Sequence, residues 1–395
     1  MVQPLEGLKV VDCATLFAGP VVATILGDFG ADVIKVEHPR GDSLRGLGWQ
    51  REDVSLWWTV VSRNKRCVSM VLSSEGGAAL FKRLVADADV LVENFRPGTM
   101  ERWGLGPDVL LELNPKLVMV RTTAFGQDGP YSKLPGFGTL AEAMSGFAHI
   151  NGWPDGPPTL PPFALGDGVA ALTGAYATMM ALWHREHTGE GQVIDLSITE
   201  PLFSLLGPQA TVYDQLGVIQ QRTGNAAPFT APRNAYQAND GRWLALSGSA
   251  QSIAERVARV VGRVDWLKED WYQSHSGRLE HVTELDDVIG AWVGRHTTEE
   301  VMAAFAEHDG AIAPIYSIKD VFEDPQFEAR HAIVRVAHPE LGDVAMANVV
   351  PRLTRTPGQI RFPGPSEIGA DNEEIYTGLG LTSEEIEELR LEGSI

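Results

Sequence analysis

The amino-acid sequence predicts an α/β fold with an open parallel sheet. Its 395 residues suffice for two or three domains, and 44% of them are hydrophobic, which is ordinary for a folded globular protein. Short apolar runs of strand length alternate with helical patterns through the first third of the chain. A strand, a helix and a second strand come first, and such a unit forms a right-handed crossover within a parallel sheet.

The first unit begins with the apolar run at 8–12, which predicts a strand. Gly19 and Pro20 then signal a turn and the start of a helix, and residues 21–29 carry apolar side chains at helical spacing. Residues 31–37 predict the second strand. Further αβ alternation follows, with strands predicted at 67–72, 90–93 and 117–122 and a helix at 77–87.

The middle of the chain changes character. Residues 140–184 are mainly helical in pattern, and glycines at 189 and 191 interrupt the chain before a strand at 192–198. Residues 207–240 are rich in Gly, Pro, Asn and Gln and predict a linker. A second domain is predicted to begin after it, with a strand at 242–247 followed by acidic helical segments.

The chain turns again at 323–325, and strands are predicted at 333–338 and 344–350. A capping signature at Thr382 and Glu385 opens a last helix.

The charge of the chain excludes two classes of partner. The 52 acidic and 32 basic residues give a net charge of −20, whereas nucleic-acid binders and proteins of anionic membranes need basic surfaces. The charge is uneven, because residues 1–135 hold 15 basic and 16 acidic residues and are nearly neutral. An anionic small molecule is therefore expected to bind the first third of the chain.

The cysteine content and the N-terminus bear on location. Cys13 and Cys67 are the only cysteines, and both lie in apolar runs, which indicates neither a disulfide framework nor a thiolate metal site. The first ten residues lack the pattern of a signal peptide, and the apolar stretch 169–183 is too short for a normal membrane span. We expect a soluble cytoplasmic protein without a metal and without a membrane partner.

The first strand–helix turn invites a dinucleotide-binding interpretation, but residues 15–20 contain one glycine where the fingerprint requires several. A set of cations near predicted strand ends is consistent either with phosphate binding or with scattered surface charge. These cations are Arg40, Lys65, Arg66, Arg96 and Arg102.

Asp167 is the candidate reactive carboxylate. It lies between Gly166 and Gly168, just before a helix whose residues Leu172, Tyr176, Met179 and Trp183 mark one apolar face. An N-cap is one interpretation. Flanking glycines that leave the side chain accessible, together with a helix end that favours the ionised form, suggest a nucleophile toward an activated acyl group instead.

The chain resembles the family III CoA-transferases, a group that includes formyl-CoA transferases, carnitine CoA-transferases and, as a divergent branch, α-methylacyl-CoA racemases. The resemblance runs essentially end to end, and it depends on the order and spacing of many motifs rather than on any single one. These motifs lie at residues 5–12, 18–20, 26–37, 64–66, 93–98, 126–130, 166–167, 188–192 and 224–225.

The resemblance implies a mechanism in which Asp167 matches the catalytic aspartate of the family. Its carboxylate would attack the thioester of an acyl-CoA donor to give a mixed anhydride, and the CoA thiolate would return to form an aspartyl-CoA thioester. A carboxylate acceptor would then take the CoA. Coenzyme A and its thioesters are thus implied as substrates, with no tightly bound cofactor.

Family positions for CoA contacts carry over to Leu72, Asn94, Phe95 and Arg102, and by proximity to Arg40 and Lys133. His38 stands where the formyl-CoA branch has an arginine.

The resemblance also locates an acyl pocket. Phe17 stands where the formyl-CoA branch has a glutamine, which implies a more apolar pocket and acids larger or less polar than formate or oxalate. Gly224 and Asn225 occupy the place of a glycine-rich lid.

Two alternative functions remain open. An acyl-CoA racemase or isomerase of the same fold needs a histidine where this chain has Phe137, and phenylalanine cannot exchange a proton. A non-catalytic acyl-CoA-binding protein would not need the Gly166–Asp167–Gly168 segment.

The family architecture implies a larger α/β domain with a Rossmann-like open parallel sheet, formed by residues 1–206 and 323–395. Residues 241–322 would form a small α+β domain, joined through the linker at 207–240. Two chains would interlock as a homodimer.

Overall fold

The computed structural model describes residues 2–395. Strands and helices alternate in the first half of the chain. The strands are β1 (Lys9–Asp12), β2 (Asp32–Glu37), β3 (Gln50–Arg51), β4 (Val54–Ser55), β5 (Lys65–Ser69), β6 (Val90–Glu93), β7 (Val118–Thr123) and β8 (Gln192–Ser197). The helices are α1 (Ala18–Asp28), α2 (Leu56–Val61), α3 (Glu75–Val85), α4 (Thr99–Arg102), α5 (Pro107–Leu113), α6 (Gly138–Met144), α7 (Phe147–Ile150), α8 (Leu165–Thr188) and α9 (Thr199–Ser204).

The second half contains mostly helices. They are α10 (Gln209–Leu216), α11 (Gln251–Val260), α12 (His275–Glu280), α13 (Val282–Val293), α14 (Thr298–Glu307), α15 (Ile318–Glu323), α16 (Pro325–Ala329), α17 (Asn372–Gly378) and α18 (Ser383–Leu391). The strands are β9 (Arg233–Gln237), β10 (Trp243–Ser247), β11 (Ile312–Pro314), β12 (Ile333–His338) and β13 (Gly342–Ala347).

A six-stranded sheet with the order β5-β2-β1-β6-β7-β8 forms the centre of the fold. All of its neighbouring strands are parallel, which confirms the predicted α/β class. The strand order reverses between β1 and β6, and in open α/β sheets ligands bind outside the carboxyl ends of the strands at such a point.

Helices cover both faces of this sheet because its strands are apolar on both sides. One core joins Val11, Val36 and Leu91 to apolar residues of α3, α5, α17 and α18. The other joins Val10 and Val33 to residues of α1 and α8. The 24-residue helix α8 is therefore held against the sheet, and its first turn lies in a fixed place.

Two compact units divide the chain. One comprises residues 1–147, 161–207 and 328–395, and the other comprises residues 148–160 and 208–327. The second unit has its own antiparallel sheet, in the order β11-β10-β9, and an apolar core.

The structure corrects the linker predicted at 207–240. This range contains α10 and β9, and β9 pairs antiparallel with β10 in the register Leu244 to Tyr236. The predicted helical region 140–184 is interrupted between α7 and α8, and β5 begins two residues before the predicted strand at 67–72. The capping box at Thr382 is confirmed, because its side chain accepts from the amide of Glu385.

Among residues 2–395, no helix is both long enough and apolar enough to cross a membrane.

A buried ion-pair network lies under the loop between β1 and α1. The Lys65 ammonium donates to Asp12 Oδ2 at 2.8 Å and to the Pro20 carbonyl at 2.6 Å. Lys35 Nζ lies 3.0 Å from Asp42 Oδ2 and donates to the carbonyl of Ala14. Burial lowers the pKa of Lys35, but the carboxylates of Asp12 and Asp42 outweigh it and the pKa is raised overall. The network therefore fixes the start of the loop at 13–18.

We expect Asp12→Ala to lower the free energy of unfolding by about 3–5 kcal/mol, because it leaves the buried Lys65 ammonium without a carboxylate partner, whereas Lys35 keeps Asp42. Urea denaturation followed by circular dichroism measures this. Asp87→Ala is the control, since Asp87 pairs with Lys9 at an exposed position where a salt bridge is worth at most about 1 kcal/mol. Equal losses in the two variants would contradict the role of the network.

Candidate active site

A cavity of about 530 Å³ lies at the carboxyl ends of the central strands. The loops after β1, β6 and β8 and the end of β7 line it, together with residues at the start of α6 and of α8. All of the lining residues belong to the first unit. The cavity therefore occupies the position at which an open α/β sheet binds its ligand.

Asn94 joins two of the lining loops. Its side-chain carbonyl accepts from the amide of Thr15 at 2.8 Å, and its side-chain amide donates to the carbonyl of Thr15 at 2.7 Å. The next residue, Leu16, has a φ of 65°, a conformation that is strained for a leucine. The loop after β1 is thus held in one unusual conformation by the loop after β6.

Aromatic side chains form an apolar wall of the cavity. The rings of Phe17 and Trp57 pack edge to face with centroids 5.2 Å apart, and Phe137 and Leu134 also line the space. The structure thereby brings together five of the residues singled out from the sequence, namely Phe17, Asn94, Arg96, Phe137 and Asp167.

Asp167 lies in the first turn of α8, and its carboxylate is half-buried at the cavity. The N-cap position belongs to Ala164, so the N-cap interpretation of Asp167 is wrong. Within residues 2–395, no side chain or amide donates a hydrogen bond to the Asp167 carboxylate.

The electrostatics of Asp167 differ from the sequence-based expectation. Burial, and then the charge of Glu142, raise the pKa of Asp167 to about 6, although the helix end was expected to favour the ionised form. Desolvation outweighs the helix dipole here. A carboxyl group with this pKa remains mostly ionised at neutral pH, and it is more basic than an ordinary aspartate.

Sequence reasoning missed Glu142. This residue lies on α6, is 2% exposed, and accepts a hydrogen bond from the amide of Gly166 at 3.0 Å. A weak signal was available, because Glu142 is the one Asp, Glu, Lys or Arg between Lys133 and Asp155.

The starts of α6 and α8 touch through two glycines. A Cβ on Gly138 would lie 2.3 Å from Asp167 Oδ2, and a Cβ on Gly166 would lie 2.9 Å from the Gly138 carbonyl oxygen. Both positions therefore require glycine for the Asp167 carboxylate to lie where it does.

The proposed CoA contacts divide into two groups. Arg40, Arg102 and Lys133 are exposed, and none of them forms an ion pair with any residue of the described range 2–395. Leu72 is buried in the core beside α3, and Phe95 packs edge to face on Trp103. His38 is exposed, and its Nδ1 accepts from the amide of Arg40.

Two cations suggested for phosphate binding serve the fold instead. Lys65 is fully buried on Asp12, and Arg66 pairs with Asp32 and Glu374. Arg96 differs, because it lines the cavity, is exposed, and has no carboxylate partner in the part of the chain that the structure describes.

Gly224 and Asn225 belong to the second unit. Gly224 has a φ of 62°, and its amide donates to the Gly152 carbonyl at 2.9 Å. A Cβ there would lie 2.5 Å from the Trp153 ring, so this position requires glycine.

The same described residues, 2–395, contain no group of three or more His, Cys, Asp or Glu side chains arranged to hold a metal ion.

Comparison with known proteins places this geometry in a family. The model of CoA-transferase family III matches residues 5–372. A succinyl-CoA–D-citramalate CoA-transferase of Chloroflexus aurantiacus is 41% identical over 97% of this chain and 96% of its own. The alpha subunit of a succinyl-CoA–L-malate CoA-transferase of the same species is 39% identical, over 98% of this chain and 91% of its own.

A solved structure agrees with these relatives. The crystal structure of a CaiB/BaiF family protein from Brucella suis is 30% identical, with a TM-score of 0.84 over 96% of this chain and 100% of that one. The chain therefore belongs to the family III CoA-transferases, and it is an enzyme that transfers CoA between carboxylic acids.

Proposed function

We propose that the enzyme moves CoA from an acyl-CoA donor to a carboxylate acceptor through covalent intermediates on Asp167. The observation that carries this proposal is a half-buried carboxylate at the cavity that receives no hydrogen bond from residues 2–395. Such a group is desolvated, basic and free to attack.

In the proposed route a carboxylate and the CoA thiolate alternate as attacking group and leaving group. An Asp167 oxygen attacks the thioester carbonyl, the carbon–sulfur bond breaks, and a mixed anhydride and the CoA thiolate form. The thiolate then attacks the Asp167 carbonyl, which releases the donor acid and leaves an aspartyl-CoA thioester. The acceptor carboxylate attacks this thioester, the carbon–sulfur bond breaks, and a second anhydride and the CoA thiolate form. The thiolate takes the new acyl group and restores Asp167.

The apolar wall of the cavity supports this chemistry. Anhydrides and activated thioesters are lost if water reaches them, and the rings of Phe17, Trp57 and Phe137 form the apolar part of the lining around Asp167. Racemisation at the α-carbon is not favoured, because Asp167 is the one acidic side chain that lines the cavity and Phe137 stands at the other base position.

We further propose that Arg40, Arg102 and Lys133 bind the phosphates of CoA. Exposed cations without carboxylate partners are suited to this, since no internal pair must be broken to bind the ligand. Leu72, Asn94 and Phe95 are proposed to contact the rest of CoA. The Asn94 side chain already binds the Thr15 backbone, so its contribution is to hold the loop that CoA meets.

The substrates are proposed to be dicarboxylic. The two relatives compared above are named for succinyl-CoA with citramalate or malate. Arg96 supports the same class here, because it is the one cation that lines the cavity and has no partner among the described residues. It is suited to receive a second carboxylate while the first reacts at Asp167.

We propose that the enzyme is an interlocked homodimer in which the two units of each chain act as a large and a small domain. An exposed apolar face on α8 supports a partner. Leu172, Tyr176, Met180 and Trp183 are each more than half exposed there, and large exposed apolar patches mark interaction surfaces. The role of Gly224 and Asn225 in substrate binding stays a prediction from the sequence.

Incubation with succinyl-CoA in the absence of an acceptor should leave a covalent adduct on the peptide that contains Asp167, because no second acid is present to remove it. Peptide mass spectrometry after an acid quench detects it. We expect Asp167→Asn to lose the adduct and at least about a thousandfold in kcat. Asp155→Asn, at an exposed loop, is the matched control. Full activity in Asp167→Asn with an unmodified wild-type peptide would exclude the mechanism.

The acceptor range should favour dicarboxylates. With succinyl-CoA as donor, we expect malate and citramalate to exceed acetate and oxalate in kcat/KM when new CoA esters are separated by chromatography. Arg96→Leu should lower kcat/KM for malate about tenfold or more, through loss of a charge-assisted hydrogen bond, and change acetate little. Lys319→Leu, an exposed cation of the second unit, is the control. An equal loss for malate and acetate would show that Arg96 does not select the second carboxylate.

Light scattering should give twice the mass of one chain. Because interlocked chains cannot separate while folded, isotope-labelled and unlabelled dimers should not exchange subunits below the urea concentration at which circular dichroism changes. Native mass spectrometry of the mixture measures the exchange. A monomer mass, or exchange in buffer without urea, would contradict the interlocked dimer.

A further inference from the structure

We propose that Glu142 is a positioning residue for the covalent step. It holds the first turn of α8 and favours the neutral, acylated form of Asp167 over the ionised carboxylate. This inference rests on the proposed role of Asp167 as nucleophile. Glu142 acts through its neighbours and does not line the cavity itself.

The first step of the argument is the bond between Glu142 and Gly166. The first amides of a helix have no partner within the helix, and Ala164 at the N-cap has no side-chain oxygen to offer. Glu142 Oε1 accepts from the Gly166 amide at 3.0 Å and supplies that cap from α6. Because Glu142 accepts from this amide, the Asp167 carboxylate does not serve as the cap, and it accepts no hydrogen bond from residues 2–395.

The second step is the absence of a cation beside Glu142. It is 2% exposed, yet no Lys, Arg or His of residues 2–395 pairs with it. A buried carboxylate without a counter-ion keeps its field at short range, since little water is present to screen it. The negative charge of Glu142 raises the pKa of Asp167, as the second cause after the larger effect of burial.

The third step concerns charge during the reaction. While Asp167 is ionised, it and Glu142 form a like-charge pair. Formation of the anhydride makes the Asp167 side chain neutral and places the negative charge on the CoA thiolate. When the thiolate then forms the aspartyl thioester, the side chain stays neutral and the charge leaves with the donor carboxylate. The repulsion then disappears, so Glu142 favours the covalent intermediate and makes the free carboxylate a stronger base.

Other elements packed against α8 carry charged groups as well. Those on α1, β7, β8 and α9 are Asp28, Arg121, Asp195 and Glu200. In the chain from residue 2 to 395, Glu142 is the one charged group that shifts the pKa of Asp167. The basic residues of α8 itself are His184, Arg185 and His187, and all three lie at its C-terminal end.

Two variants separate the bond from the charge. Glu142→Gln keeps a side-chain oxygen that can accept from Gly166 but removes the charge. Glu142→Asp keeps the charge but is one methylene shorter and loses reach to the amide. A purely structural cap predicts a normal Gln variant and an impaired Asp variant. The proposal predicts that the Gln variant, and not the Asp variant, changes the pH dependence of acylation.

The experiment is a rapid quench of each full-length protein with succinyl-CoA and no acceptor, from pH 5 to 8.5, followed by mass spectrometry of the Asp167 peptide. In the wild type the acylation rate should fall below about pH 6, because a protonated carboxyl is no nucleophile and burial and Glu142 raise the pKa of Asp167 to about 6. In Glu142→Gln this fall should move to lower pH, and the plateau rate should drop about threefold to tenfold. Glu142→Asp should keep the fall near its wild-type position.

The outcomes are distinct. A wild type without any adduct would end the proposed role of Asp167, whereas a wild type with an adduct and an identical Gln variant would overturn only the role of Glu142. A Gln variant that does not fold, judged by circular dichroism, would also overturn it, because the retained oxygen would then have failed to replace the carboxylate. A Gln variant with the shifted fall and the lower plateau supports it.

Discussion

Removing a carboxylate from water costs free energy unless hydrogen bonds or a counter-ion replace the solvent, and the cavity is arranged around one carboxylate that receives neither within residues 2–395. The surrounding helices and the central sheet hold the Asp167 carboxylate in this unpaired, half-buried position. One face of the central sheet binds both α1 and α8, and Gly138 and Gly166 let α6 approach the first turn of α8. The free energy of the folded core thus maintains a group that is unfavourable by itself, and on the proposed route this makes Asp167 a nucleophile.

The basic residues of the near-neutral first third divide according to the same principle. Lys35 and Lys65 neutralise buried carboxylates under the β1–α1 loop, and Arg121 pairs with buried Glu93 below the loop after β6. These cations hold the loops that line the cavity. Others are left without internal partners, and they remain free to meet an anionic ligand. They include Arg40, Arg96, Arg102 and Lys133.

Periodicity predicted the parts of the fold in which local pattern and tertiary position agree. The strand Val90–Glu93 lies where it was predicted because both of its faces are buried and its apolar run has clear ends. The strand Arg233–Gln237 falls in a range whose composition predicts a linker, because its pairing partner lies farther along the chain and its own side chains are mostly polar. Asp167 was found through its flanking glycines and a family resemblance. Glu142 was missed because its partner is a main-chain amide 24 residues away, and such a bond leaves no pattern in the sequence.

On the proposed route, the same electrostatics order the two half-reactions. The acceptor is itself an anion. Before Asp167 is acylated, the acceptor is repelled by the negative charges of both Asp167 and Glu142. Once Asp167 is acylated, one of these charges has gone and the remaining one is buried beneath α8. Arg96 lines the cavity throughout and continues to attract a carboxylate. The acceptor is therefore bound most favourably after the donor has reacted. On the proposed route, the charges of Asp167, Glu142 and Arg96 thus favour a double-displacement sequence without a conformational change.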